Sequence, residues 1–297
     1  MLFRNPLISL FSFINMRKLK MERISWKLLC GLICLIIILC GLFTHFFLNS
    51  VSSINQNQNP QQTINRAFSF KAAIIDHLSI SDPNPFFIEA VTNMLEKANF
   101  TVDYYGREKI KVDFYRNLAT HDYGLIIFRV HSGHEPVTFF FSGEEYNTNE
   151  HFWEQWNDQV GQGQLPDERI TYFSIRPTFV KYSMKGSFYK TVIIAMGCSS
   201  LRTTEMAEAF IEKGAAVYIG WNASLNAFHG DLATLSVIKY LLLENQTVKD
   251  AVDAATKEVG PCPANEPGTT SVLSFYPLSS QNYIIPYATN SSQKPQD

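Results

Sequence analysis

Short apolar runs alternate with stretches in which apolar residues recur every three or four positions. That alternation sets the expected fold. Residues 71–76 (Lys-Ala-Ala-Ile-Ile-Asp) predict a buried strand. The turn-rich Asp82-Pro83-Asn84-Pro85 then opens a helix whose apolar positions, Phe87, Ala90, Val91, Met94 and Leu95, fall on one side. Residues 100–105 predict a second strand. Val112, Phe114, Tyr115 and Leu118 predict a short helix, and residues 124–130 a third strand. The same rhythm returns later, with strands at 191–196 and 215–221 and helices at 203–213, 231–244 and 247–258. Continuous apolar strands separated by amphipathic helices predict an α/β fold, a mostly parallel sheet with helices on both faces.

Residues 135–190 break the rhythm. Aromatic, β-rich pieces at 137–141, 170–173 and 178–182 stand between polar stretches and predict a hairpin-rich insertion near the strand ends. Residues 271–276 and 283–287 are expected as edge pieces, and residues 289–297 as a disordered tail. There is no internal repeat. The folded domain is expected over residues 68–288.

Ahead of it, residues 28–48 form an almost wholly apolar run of 21 residues, interrupted chiefly by Thr44 and His45. About 20 apolar residues span a bilayer as a helix, whereas a signal-peptide core is shorter and ends on small residues. The run leaves through Phe46-Phe47-Leu48-Asn49, which predicts an uncleaved transmembrane anchor. Residues 1–27 hold Arg4, Arg17, Lys18, Lys20, Arg23 and Lys27 against the single acid Glu22. Positive flanks stay inside, so the N-terminus is expected to be cytoplasmic and the large domain extracytoplasmic, on a cell membrane. Residues 49–67, rich in Asn, Gln and Ser, read as a flexible linker.

Composition narrows the function classes. The chain has 297 residues, 46% of them hydrophobic, and a net charge of −2. That suits one globular domain with appendages. With the basic N-terminus set aside the remainder is acidic, and no basic stripe interleaved with aromatics remains, so nucleic acid is not expected as a partner. Of five cysteines, Cys30, Cys34 and Cys40 lie in the apolar run, which leaves Cys198 and Cys262 in the domain. Outside the cytoplasm those two could form a disulfide. Asn-x-Ser/Thr sequons at Asn99, Asn222, Asn245 and Asn290 are compatible with an external face.

The chemistry concentrates at two predicted strand ends. The strand at 191–196 runs into Gly197-Cys198-Ser199-Ser200, and the strand at 124–130 into His131-Ser132-Gly133-His134. Ligands of parallel sheets bind beyond the carboxyl ends of the strands, which is also where Asp76 and Trp221 are expected. A thiol there, with an imidazole to take its proton, has the parts for nucleophilic catalysis. The helix that follows Cys198 would favour a thiolate. Gly133 would let backbone N–H approach a developing oxyanion. Met196 and Ser200 stand where a Gly-x-Cys-x-Gly nucleophile elbow needs glycine. His131, His134 and Glu135 do not match zincin spacing and lack a third ligand, so no metal is expected. A buried, inert Cys198 is the plainer alternative.

These residues carry a family resemblance. Residues 125–133 and 192–198 resemble two blocks of the caspase–gingipain–separase group of cysteine peptidases (clan CD) and the related CHAT domains. In that group one apolar strand ends on a histidine beside glycine and another on the nucleophilic cysteine. Gly197-Cys198-Ser199-Ser200 is similar to the separase and CHAT form. Residues 207–220 are similar to the helix–Gly-Ala–strand block of gingipains and CHAT proteins. The resemblance implies a caspase-like three-layer sandwich, a polypeptide substrate and no cofactor. It implies Cys198 as nucleophile, and Gly133 with Cys198 as the oxyanion hole. His131 is expected as the base, with His134 as runner-up, because the family's adjacent His-Gly is replaced here by His131-Ser132-Gly133-His134. Some relatives hold a basic substrate side chain with an acid, for which Asp76 is the candidate, with a loop-capping aspartate as its plainer reading. The expected function is a membrane-anchored extracytoplasmic cysteine endopeptidase. The alternatives are an inactive binding or scaffold module of the same fold and a plain α/β sensor domain.

Overall fold

The computed structural model describes residues 35–39, 41, 66–165, 168–264 and 269–286. Contacts divide the chain into two units, Met1–Asn65 and Arg66–Asp297. In the first, residues 35–39 are helical. No helix among the described residues is long and apolar enough to cross a membrane. Most of the expected anchor at 28–48, the basic segment 1–27, most of the linker and the tail 289–297 lie outside the described residues.

The second unit follows the alternation of the sequence. Strand β1 (Lys71–Asp76) leads to helix α1 (Pro85–Lys97), which begins where the side chain of Asn84 accepts the Phe87 N–H and proline occupies the first turn. Then come β2 (Thr101–Gly106), α2 (Val112–Asn117) and β3 (Leu125–Arg129). Next are β4 (Ser132–His134), β5 (Thr138–Glu145), α3 (Phe152–Trp156), β6 (Val160–Gln164), β7 (Thr171–Ile175) and α4 (Pro177–Tyr182). β8 (Thr191–Met196), α5 (Glu205–Glu212), β9 (Ala215–Trp221), α6 (Ala227–Ile238) and α7 (Val248–Val259) follow. The unit ends with β10 (Cys262–Pro263), β11 (Thr270–Ser271) and β12 (Leu273–Tyr276).

The main sheet has the order β12-β9-β8-β3-β1-β2, parallel throughout except for β12, which pairs antiparallel with β9. Strand residues alternate between two cores. Ala73, Ile75, Ile126, Phe128, Ile193 and Ala195 face α2, α4 and α5. Ala72, Ile74, Leu125, Ile127, Val192 and Ile194 face α1, α6 and α7. Burial on both faces is why these strands read as unbroken apolar runs. A second, antiparallel sheet of order β4-β5-β7-β6 is the expected hairpin-rich insertion.

Three expected elements differ. Residues 178–182 belong to α4, not to a strand. Pro177 presets the first helical turn there, and Phe179 and Val180 bury themselves on the α5 side. Residues 283–286 have no regular structure. The helix expected at 231–244 begins earlier, at Ala227, because the Asn226 side chain accepts the N–H groups of Phe228 and His229. It then gives way to a π-turn at Lys239–Leu243.

Candidate active site

β8 is buried through Met196 and ends in a tight turn that carries Cys198. Ser199 takes a left-handed backbone (φ 54°), unusual for a residue with a Cβ. The turn is held by Ser199 N–H on the Ala223 carbonyl (2.9 Å) and by the Ser200 hydroxyl, which donates to the Ala195 carbonyl (2.8 Å) and accepts the Trp221 N–H (2.9 Å). Cys198 is half-buried, and its Sγ lies 3.7 Å from the Leu225 carbonyl. Burial pushes the thiol above its ordinary range, and backbone hydrogen bonding at Leu225 and at Cys198 itself opposes this. A base is therefore needed to make the thiolate. Cys198 and Cys262 are not joined in a disulfide.

The chain after β3 is clamped onto this turn. Val130 N–H donates to the Met196 carbonyl (3.0 Å), the Ser132 hydroxyl to the Cys198 carbonyl (2.7 Å) and the Thr138 hydroxyl to the Ser199 carbonyl (3.0 Å). The approach requires glycine at 197, where a Cβ would come within 2.3 Å of Ser132 Oγ.

Hairpin register separates the two histidines. Ser132 pairs with Phe140, Gly133 with Phe139 and His134 with Thr138. Side chains two apart on a strand share a face, and cross-strand partners share it too. Ser132 and Thr138 face the Cys198 turn, so His134 lies on that face. His134 is half-buried, and its Nδ1 is buried with no hydrogen-bond partner among the described residues. Glu205, in the first turn of α5, lies within electrostatic reach of it, and Glu205 Oε2 is likewise buried without a partner there. One atom can donate and the other accept.

His131 occupies the opposite side. Its Nε2 is 2.9 Å from Ser81 Oγ, and its ring stands edge-on to His77 at 5.5 Å. Arg107 organises this group, donating to the His77 carbonyl (3.0 Å), to Ser81 Oγ (3.1 Å) and to Glu168 (2.6 Å). Burial, and then the Arg107 charge, hold His131 below its ordinary value. Gly133 leaves room for the Phe139 ring, which a Cβ would meet at 2.7 Å.

Asp76 ends β1 as expected, but it is 1% exposed, with Oδ1 on Arg129 (2.9 Å) and Oδ2 on the Tyr104 hydroxyl (3.1 Å). Burial raises it, against the pull of Arg129. Arg129 also binds both carboxylate oxygens of Asp231 (2.7 and 3.0 Å) and the Asp82 carbonyl (2.8 Å). Its guanidinium lies over the Phe87 ring. This buried acid–Arg–acid unit fastens β1 and β3 to α6 beneath the strand ends. Elsewhere, Glu144, Glu150 and His151 offer ligand atoms within 4.8 Å of one another. Two of them are already engaged, since Glu144 binds His151 (2.7 Å) and the Val112 N–H (2.9 Å).

Buried His77 donates through Nε2 to the Ser142 carbonyl (3.1 Å), and burial, reinforced by Arg107, pushes it down to about 3. The folded protein thus refuses a proton that the unfolded chain accepts near 6.5. This contribution to stability is complete above about 6.5 and is lost as pH falls toward about 3. His77→Gln keeps a donor for Ser142 and removes the titration. Denaturant midpoints at about pH 7 and pH 4.5 should fall less in the variant than in the wild type.

No family model matches the chain, and no curated protein matches it in sequence. Five solved chains match in structure. Among them is the Arg specific cysteine proteinase gingipain R (RGPB), at 11% identity and a TM-score of 0.42. That match covers 74% of this chain and 46% of the other, so the chain spans about half the length of the protein it matches.

Proposed function

We propose that the domain is a cysteine peptidase of caspase-like type, membrane-anchored through residues 28–48 and facing outward, in which Cys198 is the nucleophile and His134 its base. The observation that carries the choice of base is the 2.7 Å hydrogen bond from Ser132 to the Cys198 carbonyl, because His134 shares the Ser132 face while His131 is engaged with Ser81. His134 takes the thiol proton, and the thiolate attacks the scissile carbonyl carbon. The oxyanion is met by backbone N–H groups, for which Gly133 and Cys198 are the candidates. His134 then gives its proton to the leaving amine as the peptide bond breaks, leaving a thioester. Water, deprotonated by the same imidazole, hydrolyses the thioester and restores the thiol. Glu205, within electrostatic reach of His134, is the candidate for orienting its ring.

The test is a peptide-library cleavage screen with the full-length protein under reducing conditions. Cleavage that vanishes in Cys198→Ala and survives Cys262→Ala is the expected result. A second reading, an inactive binding module of the same fold, is favoured by the upward push on the Cys198 thiol. Absence of cleavage together with an unreactive Cys198 would select it.

A further inference from the structure

Helix α3 presents its side chains the wrong way round for a surface helix. Its polar residues face the protein. Glu154 accepts from Arg116 (2.5 Å) and from the Ser183 hydroxyl (3.5 Å). Gln155 accepts from the Tyr146 hydroxyl (2.7 Å) and donates to the carbonyls of Asn147 (3.0 Å) and Glu150 (2.6 Å). The aromatic residues face solvent instead, with Phe152 53% exposed, Trp153 71% and Trp156 76%. Their rings touch one another, Phe152 stacking with Trp156 at 6.2 Å and meeting Trp153 edge-on at 5.5 Å. A surface helix ordinarily buries its apolar side and wets its polar one. Here the polar bonds hold the aromatic side outward, and a contiguous apolar patch kept exposed marks a contact surface.

The composition of the patch suits a lipid surface. Tryptophan settles at membrane–water interfaces, where its ring leaves water and its N–H stays among polar headgroups. Exposed Glu150 and Asp158 flank the helix, Asp158 paired with Arg176, so these flanks offer anionic lipid no net attraction. Chain length brings a bilayer within reach. The 17 residues 49–65 separate the apolar run at 28–48 from Arg66. Fully extended, they span at most about 60 Å. A domain tethered so closely meets the bilayer at an effective concentration on the order of millimolar. A contact too weak to recruit a free protein is then occupied.

We propose that α3 is a second membrane contact, in which Phe152, Trp153 and Trp156 insert at the interface of an electrically neutral bilayer and hold the domain against it. This rests on the anchor reading of residues 28–48 and not on the reading of Cys198.

The test uses the full-length protein reconstituted in phosphatidylcholine vesicles with brominated acyl chains, which quench indoles inserted among them. The chain has four tryptophans, of which Trp26 borders the apolar run. Trp221 is buried in the domain. In Trp26→Phe protein the quenching should persist, and adding Trp153→Phe with Trp156→Phe should abolish it. Trp221 emission, shielded from aqueous iodide, should survive that change and so report an intact fold. Quenching carried by Trp26 alone would overturn the proposal and leave the anchor standing, whereas no quenching of any indole would overturn both. Quenching of Trp153 and Trp156 only when phosphatidylserine is added would overturn the neutral-surface reading. Indoles shielded from iodide on the vesicles yet unquenched by bromolipid would assign the patch to a second copy of the chain, and overturn the proposal as well.

Discussion

Arg129→Met is expected to destabilise the domain by about 3–5 kcal/mol, the usual cost of removing one partner from a buried ion pair. The guanidinium is 1% exposed and serves Asp76, Asp231 and the Asp82 carbonyl at once. Without it, two carboxylates remain buried side by side and several acceptors lose their donor. Arg129→Lys should recover little, because one ammonium cannot reproduce the planar fork. The sign with pH is fixed. In the variant, Asp76 loses the charge that opposes its desolvation, so its folded value rises further. Its contribution is then retained below the ordinary aspartate range, about pH 4, and lost as pH rises through the raised value. The penalty should be larger at neutral pH than in acid, as read from denaturant midpoints of the two proteins. Adding Asp231→Asn to Arg129→Met should restore part of the loss.

Under the proposed function, His134→Ala is expected to lower peptidase turnover by roughly 10²–10⁴-fold, the range for a positioned general base. The Cys198 thiol is pushed upward by burial, so few molecules hold a thiolate at neutral pH unless an imidazole takes the proton. Loss of His134 should also steepen the dependence of alkylation on pH, with reactivity returning only in alkaline buffer. His131→Ala should have a much smaller effect on turnover, since His131 is bonded to Ser81 on the other side of the hairpin. Glu205→Gln, which keeps an acceptor but removes the charge, should fall between the two. It should shift the pH profile of kcat/KM rather than KM alone.

The parallel strands were legible because each is buried on both faces and so appears as an uninterrupted apolar run. The bounds of β1, β8 and β9 follow the sequence to the residue. Residues 178–182 were not legible by composition. Thr178, Phe179, Val180 and Tyr182 favour strand, and only Pro177 and the packing of Phe179 and Val180 decide for helix. The distinction between His131 and His134 needs a hairpin register, which depends on where period-two pairing begins and not on residue type. Arg129 carried a usable signal, a charge inside a continuous apolar strand, but its partner Asp231 lies 102 residues away. Glu205 was hidden for another reason. An acid in the first turn of a helix is ordinary dipole chemistry, and its relation to His134 appears only when the hairpin folds over the turn.

The most direct measurement of the central claim is the rate at which a peptidyl acyloxymethyl ketone labels the full-length protein and four variants, with the modified residue located by peptide mapping. The account predicts a label on Cys198 that disappears in Cys198→Ala and persists in Cys262→Ala. It also predicts labelling slowed at least roughly 100-fold in His134→Ala and near the wild-type rate in His131→Ala. Labelling unaffected by His134→Ala, or lost in His131→Ala alone, would contradict it.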